Sequence, residues 1–173
     1  MTDRLDAFAL QSGLPDGEGI LMNIEERVAK AVELFKSGAA CSQAVVGAYA
    51  DLVGLDMQTA MNASLGFGGG VGRLREICGT VSGMAFLAGL RLGTGDPSDA
   101  DAKKRVYEAV QTMAAEFREK NGAVVCRELL GLKPDAPAPA QPDVRTPEYY
   151  HRRPCAEYVA CAAEIAGRRL FCL

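Results

Sequence analysis

The sequence predicts an all-α fold, a single-domain bundle of about five to seven helices with a Gly-rich loop and a Pro-rich C-terminal connection. Apolar residues recur at helical spacing in most segments, few stretches alternate polar and apolar residues, and β-branched runs are short. The chain of 173 residues fits one domain, and its 49% hydrophobic content is normal for a protein with a buried core. We expect a helical domain over residues 23–173 and an N-terminal extension over 1–22, with one short helix at Leu5–Leu10.

The first three helices are predicted from caps and glycine stops. Asn23 and Glu26 have the spacing of a capping box, and Gly38 ends the helix that follows. A second helix is expected to begin at Cys41 and to stop by Gly54. Asp56 is suited to cap a third helix, whose inward residues we expect to be Met57, Met61 and Leu65.

A glycine-rich segment interrupts the helical pattern. Five of the seven residues from Gly66 to Gly72 are glycine, a composition that predicts a loop whose backbone turns sharply or closely approaches another group. An apolar helix is expected from about Cys78 to Leu92. Gly79 and Gly83 lie on one face of it, and two mid-helix glycines indicate close approach by another helix or a ligand.

The C-terminal half predicts one long and two shorter helices. Ser98 with Asp101 is suited to open the long helix, which Asn121-Gly122 ends, and a short helix is expected to begin at Cys126. Residues 133–154 hold six of the eight prolines, which predicts an irregular connection across the surface. Pro154 fits the first turn of a last helix that carries Cys155.

Four of the six cysteines therefore stand at predicted helix starts: Cys41, Cys78, Cys126 and Cys155. A helix N-terminus has unpaired N–H groups and a partial positive charge, which favour the thiolate, the form that attacks disulfides and binds metals. A chain of this size does not need disulfides to fold. Free cysteine also often only fills space in a core, but four thiols at four helix starts favour a chemical role.

Composition and motifs exclude several other classes of function. The net charge of −3, the lack of a basic block and the absence of Trp argue against nucleic-acid binding. No signal-peptide pattern occurs, and the longest apolar stretch, Ile77 to Leu90, is too short to span a bilayer, so we expect a cytoplasmic protein that is not membrane-embedded. The glycine loop lacks the phosphate-binding motifs. His151 is the only histidine and is expected on the surface.

The sequence contains no C-x-x-C, so any site must bring distant helix starts together. We expect the glycine loop to place backbone N–H groups near Cys78, with Arg73 and Arg75 adding positive charge, which makes Cys78 the expected thiolate. The candidate binding residues around the thiols are Gly68, Gly69, Gly70, Arg73, Gly79 and Gly83. Cys161 is interpreted as a packing residue and Cys172 as a thiol of the terminal tail.

These motifs resemble the C-GCAxxG-C-C family of redox-active proteins, which has four cysteines and a C-G-A-x-x-G motif. The matching segments are SGAACSQAV, SLGFGGGVGR, CGTVSG, CRELLG and CAEYV, spread over roughly residues 24–166. Thr80 replaces the alanine of the motif, and Cys161 and Cys172 have no place in the pattern. The resemblance implies a redox role and, since family genes often lie beside transporter genes, a partner linked to transport.

Three hypotheses remain open from the sequence. In the first, Cys41, Cys78, Cys126 and Cys155 carry out thiol–disulfide chemistry with a redox partner, as in a thiol-dependent oxidoreductase. In the second, the same four thiolates hold an Fe–S cluster, zinc or another soft metal, within one chain or across a dimer. In the third, the thiols are inert in a helical scaffold. A homodimer packed through the Gly79–Gly83 face is a further expectation.

Overall fold

The computed structural model describes residues 23–173, and within this range it contains eight α-helices and no β-strand. The prediction of an all-α helical bundle is confirmed. The expected extension at 1–22, with its helix at Leu5–Leu10, lies outside the described residues. The helices are α1 Ile24–Lys36, α2 Cys41–Ala48, α3 Met57–Leu65, α4 Gly79–Leu92, α5 Ala100–Asn121, α6 Cys126–Leu129, α7 Pro147–Arg152 and α8 Cys155–Ala166.

Most helix boundaries follow the predicted caps. The backbone N–H of Glu26 donates to the Asn23 side chain at 2.9 Å and the N–H of Asn23 donates to the Glu26 carboxylate at 2.9 Å, which completes the capping box. Asp56 accepts from the N–H of Thr59 at 2.9 Å at the start of α3. Gly122 ends α5 in the left-handed conformation, with φ at 88°.

Two local predictions are wrong. Asp99, not Ser98, caps α5, because its carboxylate accepts from the N–H of Ala102 at 2.8 Å. Met57 and Leu65 of α3 are exposed, and the buried residues of this helix are Ala60 and Ser64. The small residues form the inner face because α3 packs closely on α2 there. Met61, the third residue predicted to be inward, is half-buried, and a Cβ placed on Gly47 of α2 would lie 3.4 Å from the sulfurs of both Met57 and Met61. The larger apolar residues therefore flank the inner face and do not form it.

The core is built around α2, which is buried along nearly its whole length. α1 packs against α8 and α2, and α4 packs against α2 and α5. Tyr49, directly after α2, is fully buried; its hydroxyl donates to the carbonyl of Ala163 at 2.7 Å, and its ring stacks on Phe171. A 3₁₀ turn at Ala50–Val53 continues α2, and a π-helical turn at Gly167–Phe171 continues α8.

The Pro-rich segment 133–154 is irregular except for α7, a six-residue helix that the sequence did not predict. Thr146 caps α7 and Pro147 occupies its first position, the arrangement that proline favours. Tyr150 packs edge-on against the ring of Phe35, and its hydroxyl donates to the carbonyl of Lys36 at 3.1 Å. The segment is thereby tied to the end of α1.

No helix within residues 23–173 combines the length and the apolar character that crossing a membrane requires.

Candidate functional site

The four cysteines at helix starts line a single cavity of about 250 Å³. Cys41 is the first residue of α2, Cys126 the first of α6 and Cys155 the first of α8, while Cys78 is the residue immediately before α4. The predicted helix starts are therefore confirmed. The fold places four positions that are far apart in sequence at the wall of one cavity.

These four helices share a second property. None of them has a capping side chain at its N-cap position. The other four helices are each capped by a side chain, from Asn23, Asp56, Asp99 and Thr146. The starts of α4, α6 and α8 thus lack the side-chain oxygen that would otherwise offset their partial positive charge, while at α2 the side chain of Gln43 accepts from the N–H of Ala40 at 2.8 Å.

The glycine loop after α3 forms one wall of this cavity. Gly69, Gly70 and Gly72 have φ values of 63°, 71° and 55°, a left-handed region that favours glycine. A Cβ atom on Gly70 would lie 2.7 Å from the Cβ of Cys126. Glycine is therefore required at position 70 both by backbone conformation and by the close approach to a cysteine.

A short antiparallel bridge between Ile77 and Val125 fixes two of the cysteines relative to one another. The N–H of Cys78 donates to the carbonyl of Val124 at 2.8 Å, and the N–H of Cys126 donates to the carbonyl of Glu76 at 2.6 Å. These backbone hydrogen bonds hold the starts of α4 and α6 against the end of the glycine loop.

The Gly79–Gly83 face of α4 is covered by α2 of the same chain. A Cβ on Gly79 would lie 2.9 Å from the carbonyl oxygen of Phe67 and 3.4 Å from the Cβ of Cys41, and one on Gly83 would lie 3.1 Å from the Cβ of Val45. The predicted close approach is confirmed. Since α2 fills the face on which we expected a homodimer to form, that argument for a dimer no longer holds, and dimerisation itself stays a prediction.

A hydrogen bond joins the thiols of Cys41 and Cys155 at the cavity. The Cys41 thiol donates to the Cys155 sulfur, which lowers the pKa of Cys155 below its ordinary value, although burial and the nearby Cys78 and Cys126 act in the opposite direction. The same hydrogen bond, together with burial, raises the pKa of Cys41. A proton on Cys41 therefore favours the thiolate on Cys155, although Cys41 is the more exposed of the two thiols.

Cys78 does not have the environment that we expected. Burial raises the pKa of its thiol to about 12, and a contact of 3.1 Å with the Thr80 hydroxyl offsets this only in part. The expectation that Cys78 is the thiolate is wrong, because it is 4% exposed and desolvation outweighs the helix start. Thr80, the departure from the family motif, is thus a direct neighbour of a cysteine sulfur.

The two arginines of the glycine loop are directed away from Cys78. The Arg75 guanidinium is buried and lies 3.9 Å from the sulfur of Cys126, where it opposes the rise in pKa that burial causes in that thiol. Arg73 donates to the carbonyl of Pro139 at 2.6 Å and to Asp143 at 3.3 Å. Both arginines have left-handed backbone, with φ at 69° for Arg73 and 64° for Arg75.

The Pro-rich segment contributes charged residues that the sequence analysis missed. Asp143, Arg145 and Arg153 all line the cavity. The Arg145 guanidinium lies 4.7 Å from the ring centres of Phe35 and Tyr149, a cation–π arrangement, and it lowers the pKa of Cys41 in opposition to the other effects. The cluster of basic and aromatic residues at 145–153 was the available signal, but its position relative to the cysteines depends on the tertiary fold.

The remaining candidate residues divide into two groups. Five of the six candidate binding residues line the cavity, namely Gly68, Gly69, Gly70, Arg73 and Gly79; Gly83 does not. Cys161 and Cys172 lie outside the cavity, Cys161 accepting a hydrogen bond from Asn121 and Cys172 exposed at the C-terminus. His151 is exposed, as predicted.

Within the described part of the chain, no group of three or more His, Cys, Asp or Glu side chains is arranged to hold a metal ion. Four thiols have the right donor chemistry for zinc or an Fe–S cluster.

Comparison with known proteins agrees with the motif pattern. The model of one protein family, described as Putative redox-active protein (C_GCAxxG_C_C), matches residues 39–168 and so includes all four cavity cysteines. The corresponding comparisons with curated proteins and with solved structures give no match. Because the match extends over most of the sequence, the chain belongs to the C_GCAxxG_C_C family.

Proposed function

We propose that the protein carries out thiol–disulfide redox chemistry in which Cys155 is the nucleophile and Cys41 the resolving thiol. The observation that carries the proposal is the hydrogen bond between these two cysteines, which lowers the pKa of one and raises that of the other. A thiolate beside a protonated thiol is the arrangement that a dithiol needs to react in two successive steps.

In the reductive direction, the Cys155 thiolate attacks one sulfur of a disulfide substrate and releases the first substrate thiolate. Cys41 then loses its proton and attacks the Cys155 sulfur, which breaks the mixed disulfide and releases the second thiolate. The substrate gains two electrons and becomes two thiols, while Cys41 and Cys155 become a disulfide. A redox partner that reduces this disulfide again would close the cycle, and a transport-associated protein is one candidate for that partner.

Cys78 and Cys126 have a supporting part in this proposal. Burial raises the pKa of both thiols, so they are poor nucleophiles near neutral pH. Because both stay largely protonated near neutral pH, they place little negative charge beside the Cys155 thiolate, and both remain available as a second dithiol once the first pair has been oxidised.

Disulfide mapping tests the proposal. The reduced protein is incubated in buffers that contain reduced and oxidised dithiothreitol in varied ratios, the remaining thiols are alkylated in acid, and bridges are mapped by mass spectrometry. We expect a reversible two-electron couple whose disulfide joins Cys41 to Cys155, absent from the Cys155→Ser variant. Cys161→Ser and Cys172→Ser are matched controls and should leave the potential unchanged. A protein in which Cys41 and Cys155 stay free at every ratio would contradict the proposal.

Binding of an Fe–S cluster, zinc or another soft metal by the four cysteines is the second candidate. It is favoured by the four sulfur donors at one cavity, which is the ligand count that such groups require. Purification without oxygen, followed by a visible spectrum and elemental analysis, tests it. About one zinc per chain, or iron with a charge-transfer band, either of which disappears in Cys78→Ser, would support this candidate; metal-free protein with four reactive thiols would oppose it.

A further inference from the structure

The cavity of the four cysteines carries a surplus of positive charge. Among residues 23–173, four arginines and a single carboxylate line it; these are Arg73, Arg75, Arg145, Arg153 and Asp143. The chain as a whole has a net charge of −3, so the surplus is local and does not reflect a basic composition. One thiolate, at Cys155, would leave two positive charges uncompensated.

Asp143 shows how this surplus is arranged. Its carboxylate lies 3.0 Å from Arg153, 3.3 Å from Arg73 and 3.9 Å from Arg75. Partial burial opposes ionisation, but the hydrogen bond from Arg73 and the charges of the three arginines keep the pKa of Asp143 below its usual range. A single carboxylate shared by three guanidinium groups leaves donors and charge for a second anion.

The arginines are held in place by more than their charges. Arg75 is buried in a left-handed backbone conformation, and Arg153 and Arg145 both lie over the ring of Tyr149, at 4.9 Å and 4.7 Å from its centre. Side chains fixed in this way lose little conformational freedom when they bind a ligand. The start of α8, which has no capping side chain and lies at the same cavity, adds partial positive charge.

We propose that this cavity is an anion-binding site that takes a small oxyanionic substrate and holds it beside the thiols through Arg153 and Arg75. A guanidinium group donates two parallel hydrogen bonds to two oxygens of a carboxylate, sulfate-like or phosphate-like group. The ligand class that fits these arginines is therefore an oxyanion. The volume of about 250 Å³ is below the range of about 300–1,000 Å³ that is usual for drug-sized ligands, so the substrate is small. The inference rests on the proposed function only in calling the ligand a substrate.

Thermal unfolding in the presence of simple anions tests the site. Sodium sulfate and sodium acetate are the two probes, each compared with sodium chloride at equal ionic strength, because a ligand that binds the folded protein stabilises it by RT ln(1 + [L]/Kd) and so raises Tm. Arg153→Gln is the test variant. Arg152→Gln is its matched control, since Arg152 is exposed, lies outside the four-cysteine cavity and carries the same charge. General salting-out by sulfate affects both variants equally.

We expect sulfate or acetate to bind about tenfold more weakly to Arg153→Gln than to Arg152→Gln, the loss typical of one charge-assisted hydrogen bond. Asp143→Asn, which removes the competing carboxylate, should change the affinity in the opposite direction and bind the anion more tightly than wild type. A response to sulfate indicates a tetrahedral oxyanion, and a response to acetate alone indicates a carboxylate. Equal Tm shifts in all four proteins for both anions would overturn the proposal.

The Cys155→Ser variant separates this inference from the proposed function. It lacks the nucleophile and its negative charge but keeps every arginine, so it should bind the probe anion at least as tightly as wild type while it forms no Cys41–Cys155 disulfide. As a second measurement, iodoacetate and iodoacetamide are compared on the wild-type protein by peptide mass spectrometry. The rate of reaction with the anionic iodoacetate, divided by the rate with the neutral iodoacetamide, should be several-fold higher at Cys155 than at Cys172. Arg153→Gln should lower this ratio at Cys155. Equal ratios at the two cysteines would count against the site.

Discussion

The Cys41 thiol donates a hydrogen bond to the sulfur of Cys155, across a cavity wall built by the first turns of α2 and α8. This contact makes the two thiols unequal, because a hydrogen bond to a thiolate stabilises its charged form while the donor must keep its proton. Position at a helix start does not by itself determine reactivity here. All four cavity cysteines share that position, yet only Cys155 has a lowered pKa.

Removing the hydrogen-bond donor should therefore make Cys155 less acidic. In Cys41→Ala, the Cys155 thiolate loses its partner, so we expect the midpoint of its alkylation rate against pH to move upward and its rate near pH 7 to fall several-fold. The measurement is the pH dependence of iodoacetamide labelling, followed at the Cys155 peptide by mass spectrometry.

Cys41→Ser is the matched control for this prediction, since a serine hydroxyl is still able to donate to the sulfur. Its midpoint should stay close to that of wild type. Cys78→Ser is a second control, expected to leave the midpoint unchanged or slightly lower, because Cys78 raises the pKa of Cys155. Equal midpoints in Cys41→Ala and Cys41→Ser would show that the hydrogen bond does not determine the acidity of Cys155.

The glycine loop gives a prediction about the wall of the cavity. In Gly70→Ala, the new methyl group meets the Cβ of Cys126 at 2.7 Å and the backbone must stay left-handed at φ 71°. We expect a loss of about 3 kcal/mol in the free energy of unfolding, from backbone strain and overpacking together, and faster alkylation of Cys126 as the loop moves. Urea unfolding and peptide mapping measure the two effects.

Gly72→Ala is the comparison that isolates the contact. Gly72 is also left-handed, with φ at 55°, but the nearest atom to its added Cβ is the carbonyl oxygen of Gly66 at 3.7 Å, an ordinary distance. It should cost only the backbone strain, about 1 kcal/mol, and leave the labelling of Cys126 unchanged. If both variants lose the same free energy of unfolding, the close approach of the loop to Cys126 does not contribute to the cost of Gly70→Ala.

The sequence predicts the helices well because their ends are determined locally. The Asn23–Glu26 capping box, the Asp56 cap and the Gly122 stop each depend on residues within one turn, and each is found. The four cysteine positions follow from the same local signals. That all four line one cavity is a property of helix packing, which the absence of C-x-x-C could only suggest.

The electrostatics of the site could not be predicted in the same way. Arg73 and Arg75 are close to Cys78 in sequence, but the left-handed turns of the loop direct them toward Asp143 and Cys126. The pKa of Cys78 depends on how completely the fold buries its thiol. The pKa of Cys155 depends on a hydrogen bond from Cys41, which lies 114 residues away in the sequence. Both are tertiary effects.

The ion pair between Arg27 and Asp51 gives a prediction about stability and pH. Arg27 is buried and donates to Asp51 at 2.7 Å, and this hydrogen bond lowers the pKa of Asp51. A carboxyl with a lowered pKa stabilises the fold above its unfolded pKa, and that contribution is lost as pH falls through the folded value. We expect Asp51→Asn to reduce the free energy of unfolding by about 1–2 kcal/mol at pH 7, since Asp51 itself is half-exposed.

The difference between wild type and Asp51→Asn should shrink as the pH of the urea titration is lowered from 7 to 3. Glu108→Gln is the control: Glu108 pairs with Lys104 at 3.8 Å, but both side chains are exposed, so its loss should be below about 0.5 kcal/mol at either pH. A constant deficit for Asp51→Asn across the pH range would mean that the effect comes from packing and not from the charge.

Arg75 and Arg73 offer a matched pair of substitutions at the site itself. Both are left-handed, at φ 64° and 69°, and asparagine tolerates this conformation better than most residues, so Arg75→Asn and Arg73→Asn should perturb the backbone little. They differ in contact: the Arg75 guanidinium lies 3.9 Å from the Cys126 sulfur and opposes the rise in its pKa, whereas Arg73 binds the Pro139 carbonyl and Asp143. Arg75→Asn should therefore move the alkylation midpoint of Cys126 to higher pH, and Arg73→Asn should not.

The midpoint is a better measure than the rate, because loss of a buried side chain also changes access to the thiol. If both variants move it equally, the positive field of the cavity as a whole, and not the contact with Arg75, determines the acidity of Cys126.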